Sequence, residues 1–181
     1  MPEPKFRFFL RDETQTAHAA LDAMVGPLDT LGEYIAFLDG LYRYRAGTEA
    51  ALRSLDWPKF FGNWRPLYIA DLLAADLADL GQPAARVAPA PLSNDIASLL
   101  GVSYVLEGSS LGARVISRRA ASLGLTEHHG ARHLAAQTAE LANWRSLLEL
   151  AEALPIASRP KAAQAANDSF SLARTAMRIP A

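Results

Sequence analysis

The sequence predicts an all-α fold, a single-domain helical bundle of about six helices. Three observations carry this. Apolar residues recur at three- and four-residue steps over long stretches. No run alternates apolar and polar residues between hairpin turns. Gly and Pro fall between the periodic stretches, where helices must stop. The chain has 181 residues, one domain's worth, so residues 1–181 are expected to form one unit. Its hydrophobic share of 50% against 20% charged residues is that of a globular protein and not a disordered one.

The first helix is expected over residues 6–25, with Phe6, Phe9, Leu10, Ala17, Leu21, Met24 and Val25 at helical spacing and Gly26-Pro27 as the stop. The second follows Asp29-Thr30 and runs to about Asp56, where Trp57-Pro58 ends it. Tyr34, Phe37, Leu38, Leu41, Tyr42, Ala51, Leu52 and Leu55 lie on or near one face. Gly32, Gly40 and Gly47 inside it each cost about 1 kcal/mol against Ala, which close helix packing can offset. Residues 66–80 read as a third helix ended by Gly81-Gln82-Pro83. Residues 82–93, with Pro83, Pro89 and Pro91, read as a loop. Ser93-Asn94-Asp95 is a ready N-cap for a long fourth pattern through Ile96, Leu99, Leu100, Tyr104, Val105 and Leu106. Gly108-Ser109-Ser110-Leu111-Gly112 interrupts that pattern and permits a kink, and Val115, Ile116, Ala120 and Leu123 resume it. Residues 126–154 read as helical again, opened by Thr126 and closed by Pro155. Ser158 is expected to cap a last helix through Met177, with Pro160 in its first turn.

Composition excludes several functions. Without cysteine there is no disulfide framework, thiolate metal site or Cys nucleophile. A net charge of −1 excludes a strong electrostatic footprint for nucleic acid. No uninterrupted run of about 18 apolar residues exists to span a membrane. Charges follow Met1 too closely for a signal peptide, so a cytoplasmic location is expected.

Four features carry candidate chemistry. His18 shares a helix face with Thr14, Leu21 and Val25, so it is expected to point inward. A buried neutral imidazole can ligate a metal, and Asp22, one turn on, can accept its other ring N–H. The plain alternative is a core histidine bonded to a neighbour. Gly108 and Gly112 remove two side chains from one helix face, which admits a flat ligand close to the backbone or, equally, a neighbouring helix. The hydroxyls of Ser109 and Ser110 can satisfy carbonyls or hold water. His128, His129 and His133 read as surface residues at a helix start, since no Glu stands in a zinc-enzyme spacing. The residues three before each histidine are Gln15, Leu125, Thr126 and Gly130, so no Glu-x-x-His pair for a di-iron site exists. Basic residues on the last helix, Arg159, Lys161, Arg174 and Arg178, can clamp carboxylates or form a solvated face.

Two passages resemble the heme oxygenase family. One is Leu10-Arg11-x-x-Thr14-x-x-x-His18-x-x-Leu21-Asp22. The other is Gly101-Val102-x-Tyr104-Val105-Leu106-Glu107-Gly108-Ser109-Ser110-Leu111-Gly112-Ala113-Arg114-Val115, close to the bacterial branch found beside bacteriophytochromes. Tyr34, Phe37-Leu38, Leu41-Tyr42 and Glu49, and Trp144 before Leu147-Leu148, extend the likeness over nearly the whole chain. The resemblance implies heme, cofactor and substrate at once, held between the first helix and the glycine-bearing one. His18 would match the iron ligand, Asp22 its partner, and Gly108, Ser109 and Gly112 the opposite wall. Thr14, Ser110, Arg11, Arg174 and Arg178 are further contacts, the three arginines chosen on charge alone. It implies ring opening to biliverdin, CO and ferrous iron with O2 and an external donor such as ferredoxin, and a bacteriophytochrome as a receiver of biliverdin. Two departures stand out. Ser109 lies near the place of an Asp in the animal-type enzymes. Gly130 is followed by Ala131-Arg132-His133-Leu134, where many bacterial relatives have aromatics. These departures motivate a second reading, a heme-sensing protein without turnover, and a third, a heme-free interaction module.

Overall fold

The computed structural model describes residues 5–139 and 141–178. Among them it has seven α-helices, two short 3-10 turns and no strand, as an all-α bundle requires. Helix α1, Phe6–Val25, has the expected bounds. It buries Phe6, Leu10 and Thr14, one stripe at four-residue steps. Helix α2, Leu31–Arg53, opens with a capping box. Thr30 accepts the Glu33 backbone N–H, and the Glu33 carboxylate accepts that of Thr30. A 3-10 turn at Lys59–Phe61 follows, with Trp57, Phe61 and Trp64 packed edge to face.

Helix α3, Ala70–Asp79, starts later than the spacing predicts. The backbone of Leu67, Ile69 and Ala70 is instead bonded to the buried carboxylates of Glu107 and Glu49. The proline segment is a loop as expected. It lies along α2, with Tyr42 donating to the Ala85 carbonyl at 3.1 Å and Ala90 N–H to that of Gly47 at 2.9 Å.

Helix α4, Ile96–Ser122, begins at the predicted cap, Asp95 accepting the Ser98 N–H. The glycine segment does not interrupt it, and the helix is continuous through Gly108–Gly112. α4 has the length and apolar composition of a membrane-crossing helix, with mean hydropathy 1.2 over its most apolar window, yet 67% of that window is buried inside the bundle.

The largest correction falls on residues 126–154. Thr126 opens no helix. Thr126 and His129 bond to each other across a tight turn, and Gly130 leaves it with φ +76°. Two helices follow in place of one, α5 at Arg132–Ala139 and α6 at Ala142–Glu152. A 3-10 turn, Ile156–Ser158, leads into α7, Arg159–Met177, with Pro160 in its first turn. The Ser158 side chain makes no cap bond, because the 3-10 turn already holds its backbone in a helical conformation.

Two apolar clusters form the core. One joins α1, α6, α7, the later part of α2 and the first half of α4, including Leu10, Leu52, Leu99, Leu106, Leu147 and Phe170. The other joins α2, α3, α5 and the second half of α4, including Tyr34, Leu38, Leu73, Leu77, Ala113 and Ala120. α4 thus runs through both. At Gly101 it meets α7 so closely that any side chain would overlap the Ala162 carbonyl.

Candidate active site between two parallel helices

The contacts of α1 fix its direction against two neighbours. Arg119 of α4 donates to the Gly26 and Pro27 carbonyls just past the end of α1, Gly26 being 93 positions earlier. Fifteen residues back along each helix, roughly 22 Å at 1.5 Å per residue, Tyr104 lies within electrostatic reach of Arg11 and Asp12. The two helices therefore run parallel in a constant register, which places Leu111 and Gly112 level with His18. α7 runs parallel to α1 as well. Arg159 stands over the Phe6 ring, Asn167 donates to the Glu13 carbonyl, and Phe170 meets His18 edge to face at 5.6 Å.

Between the two ends the α4 face toward α1 is open. Helical spacing puts Tyr104, Gly108, Leu111, Gly112, Val115 and Arg119 on that face. Leu111 and Val115 are about half exposed (52% and 51%), and nothing lies within 4 Å of where a Gly112 side chain would begin. Gly108 faces the Trp144 ring, which pairs with Tyr104 at 5.3 Å. The result is a cleft with an apolar, side-chain-poor wall, an aromatic end and an arginine at the other end.

His18 is not buried as its spacing predicts; its side chain is 61% exposed. After Thr14 the side of α1 that packs on the core carries Ala17 and Leu21, and His18 lies beside it, one edge on Phe170 of α7 and the rest of the ring open. Its Nδ1 lies 3.0 Å from a carboxylate oxygen of Asp22. A proton on Nδ1 would face this carboxylate, an arrangement that favours the tautomer with the lone pair on Nε2. An imidazole beside a carboxylate, level with a glycine wall, is a donor set that would suit a flat iron-bearing macrocycle.

The other predicted contacts divide. Thr14 is buried, and its hydroxyl donates to the Leu10 carbonyl at 2.7 Å, so it does not reach the cleft. Ser110 is buried on the far side of α4. Arg11 is exposed, paired with Asp12 at 2.9 Å. Continuing the α1–α7 register, Arg174 and Arg178 stand level with Asp22 and Val25. The Arg174 Nε is buried and has no hydrogen-bond partner among the described residues. Ser109 stands at the edge of the open face, donating to the Leu106 carbonyl at 2.7 Å and accepting from the Gln137 amide at 2.8 Å.

Behind the glycine wall lies a buried polar layer that sequence spacing did not reveal. Arg45, 2% exposed, donates Nε to Glu49 at 2.8 Å and its terminal nitrogens to the Leu106 and Leu67 carbonyls. Burial raises the Glu107 pKa, against the Leu67 N–H, Asn143 and Arg45. His133, expected at the surface, is fully buried. Its Nδ1 lies 2.8 Å from Asp76, which also accepts its backbone N–H, and its Nε2 has no hydrogen-bond partner among the described residues. Burial outweighs the Asp76 carboxylate and lowers the His133 pKa, so the imidazole is neutral. Burial works against Asp76 too, but the His133 ring and the His133 and Arg132 N–H groups outweigh it and hold its pKa down. The partners come from α3 and α5, 57 positions apart, which no local spacing could join. His128 and His129 are exposed as expected.

No family model matches the sequence. Heme oxygenase PigA of Pseudomonas aeruginosa is 31% identical over 167 residues, covering 87% of this chain and 83% of that protein. A heme oxygenase of Xanthomonas campestris is 38% identical over 87 residues, 47% of this chain and 51% of its own. Among solved structures, the NO- and CO-bound heme oxygenase of Neisseria meningitidis superposes with a TM-score of 0.79 at 24% identity, covering 97% and 92% of the two chains. The fold is an all-α bundle in which an exposed histidine stands level with a side-chain-poor stretch of a neighbouring helix. The chain belongs to the heme oxygenase family.

Proposed function

We propose that this protein is a heme oxygenase that binds heme between α1 and α4 and opens it to biliverdin, CO and ferrous iron, using O2 and electrons from an external donor. The observation that carries the reading is the His18–Asp22 pair, with its free Nε2 level with Leu111 and Gly112. Bound heme supplies both the iron that activates O2 and the ring that is opened. The chain supplies the rest. His18 would hold the iron, and Asp22 would keep the imidazole in its ligating tautomer. Gly108 and Gly112 leave room against α4 for a small ligand, and Leu111 and Val115 cover the macrocycle and exclude water. Ser109 holds water at the edge of that space. Arg174 and Arg178 stand on the α7 side, where they can pair with the carboxylates of the ligand, and Arg11 offers a second charge at the opposite end. A ferredoxin is the donor we expect and a bacteriophytochrome a receiver of the product, both resting on the likeness to the bacterial branch alone.

The test is one absorption series. Hemin added to the purified protein should give a Soret complex, and ascorbate or a ferredoxin system in air should replace it with the broad red band of biliverdin. A Soret complex that outlasts the reductant would assign heme sensing instead. No complex at all would reject both.

A further inference from the structure

Three polar tethers hold α4 at the start of the Gly108–Gly112 stretch and just before it. Arg45 reaches the Leu106 carbonyl, the Glu107 carboxylate takes the Leu67 N–H, and Gln137 donates to the Ser109 hydroxyl. The first two act on the buried side of α4. Only the Gln137 tether, among the described residues, ends on a group at the edge of the open face. Gln137 is 4% exposed, so its amide is fixed by packing in α5 and does not sample solvent. Ser109 in turn gives its proton to Leu106, a carbonyl that Arg45 also binds. Extra donors on a helical carbonyl compete with the helix's own bond and bend the turn. With its proton spent and one lone pair taken by Gln137, Ser109 can only accept from what stands in the cleft. We propose that Gln137 is a positioning residue. Through Ser109 it sets the place of the glycine wall and the hydrogen-bonding sense of the hydroxyl beside it.

This rests on the heme reading above, and the test separates the two. Wild type, Gln137→Leu, Ser109→Ala and the double variant are compared as hemin complexes. The readouts are the Soret position across pH, kcat and KM apart, and the biliverdin isomer ratio. Both single variants should shift the pH profile of the spectrum in the same direction and lower kcat by about tenfold with KM little changed, as expected for a small displacement of a positioned group. The double variant should be no worse than either single one, because one linkage is broken in all three. Losses that multiply in the double variant, or a Gln137→Leu protein with wild-type spectrum and kinetics, overturn the proposal while hemin binding stands. Should Gln137→Leu fail to fold, Ser109→Ala decides, since Ser109 is exposed; an unchanged spectrum and kcat there overturn it as well. Wild-type protein that takes up no hemin overturns both readings.

Discussion

His18 shows how one residue type carries two meanings that sequence alone cannot separate. A helical face that includes Thr14 and Leu21 reads as inward, but a cleft wall and a core stripe share that pattern; only the partners on the other side differ. Because His18 is exposed, His18→Ala should abolish the histidine-ligated hemin spectrum and leave far-UV circular dichroism unchanged. A retained spectrum would remove His18 as the ligand. Asp22→Asn removes the charge behind the imidazole, and hemin affinity measured by titration should fall about 10- to 100-fold. His133 reads as a surface residue for a different reason: its partner, Asp76, lies on another helix. Its pKa lies below the ordinary 6.5, so the unfolded chain binds the proton more readily. Its contribution to stability is therefore complete above pH 6.5 and declines as pH falls below it. Asp76 is held below 3.8, so its own contribution is lost only on stronger acidification, below that value. Thermal melts from pH 7.5 to 5 should show a falling Tm, and His133→Gln should flatten that slope. An equal slope in the variant would assign the acid sensitivity elsewhere.

Among the elements, the long helices were legible and the short ones were not. α1, α2 and α4 announce themselves through long periodic runs and the caps at Thr30 and Asp95. The division between α5 and α6, and the turn at Thr126–Gly130, depend on tertiary bonds, such as the Gly130 N–H held by Asp79. The glycine segment was half legible: its spacing implies a bare face, while the continuity of α4 through it reflects packing on both sides. Gly101 and Gly112 make the contrast testable. Gly101→Val forces a side chain into the Ala162 carbonyl, and the melting curve should show a loss of about 1–3 kcal/mol or more. Gly112→Leu meets open space, so stability should hold while hemin affinity drops. Normal hemin uptake by Gly112→Leu would mean that the ligand does not approach α4 there.

For the whole molecule, composition and periodicity foretold the all-α class, but not that α1, α4 and α7 run parallel. That arrangement is set by pairs such as Arg119 with Gly26 and Asn167 with Glu13, distant in sequence and invisible in any window. Arg119→Ala should loosen the far end of the cleft, seen as faster amide exchange in the last turn of α1 with the core protection of α7 unchanged. Unaltered exchange there would assign the closure of that end to another contact. Parallel neighbours also demand long return paths. His18, the glycine wall and Phe170 are separated by most of the chain, so the contacts that bring them together are long-range. During synthesis the histidine leaves the ribosome first and waits for α7, the partner it packs against. Heme captured before then would meet an unformed cradle, so the capacity to bind should arise late and in one step, and a chain cut short before α7 should retain helices but no ligand site.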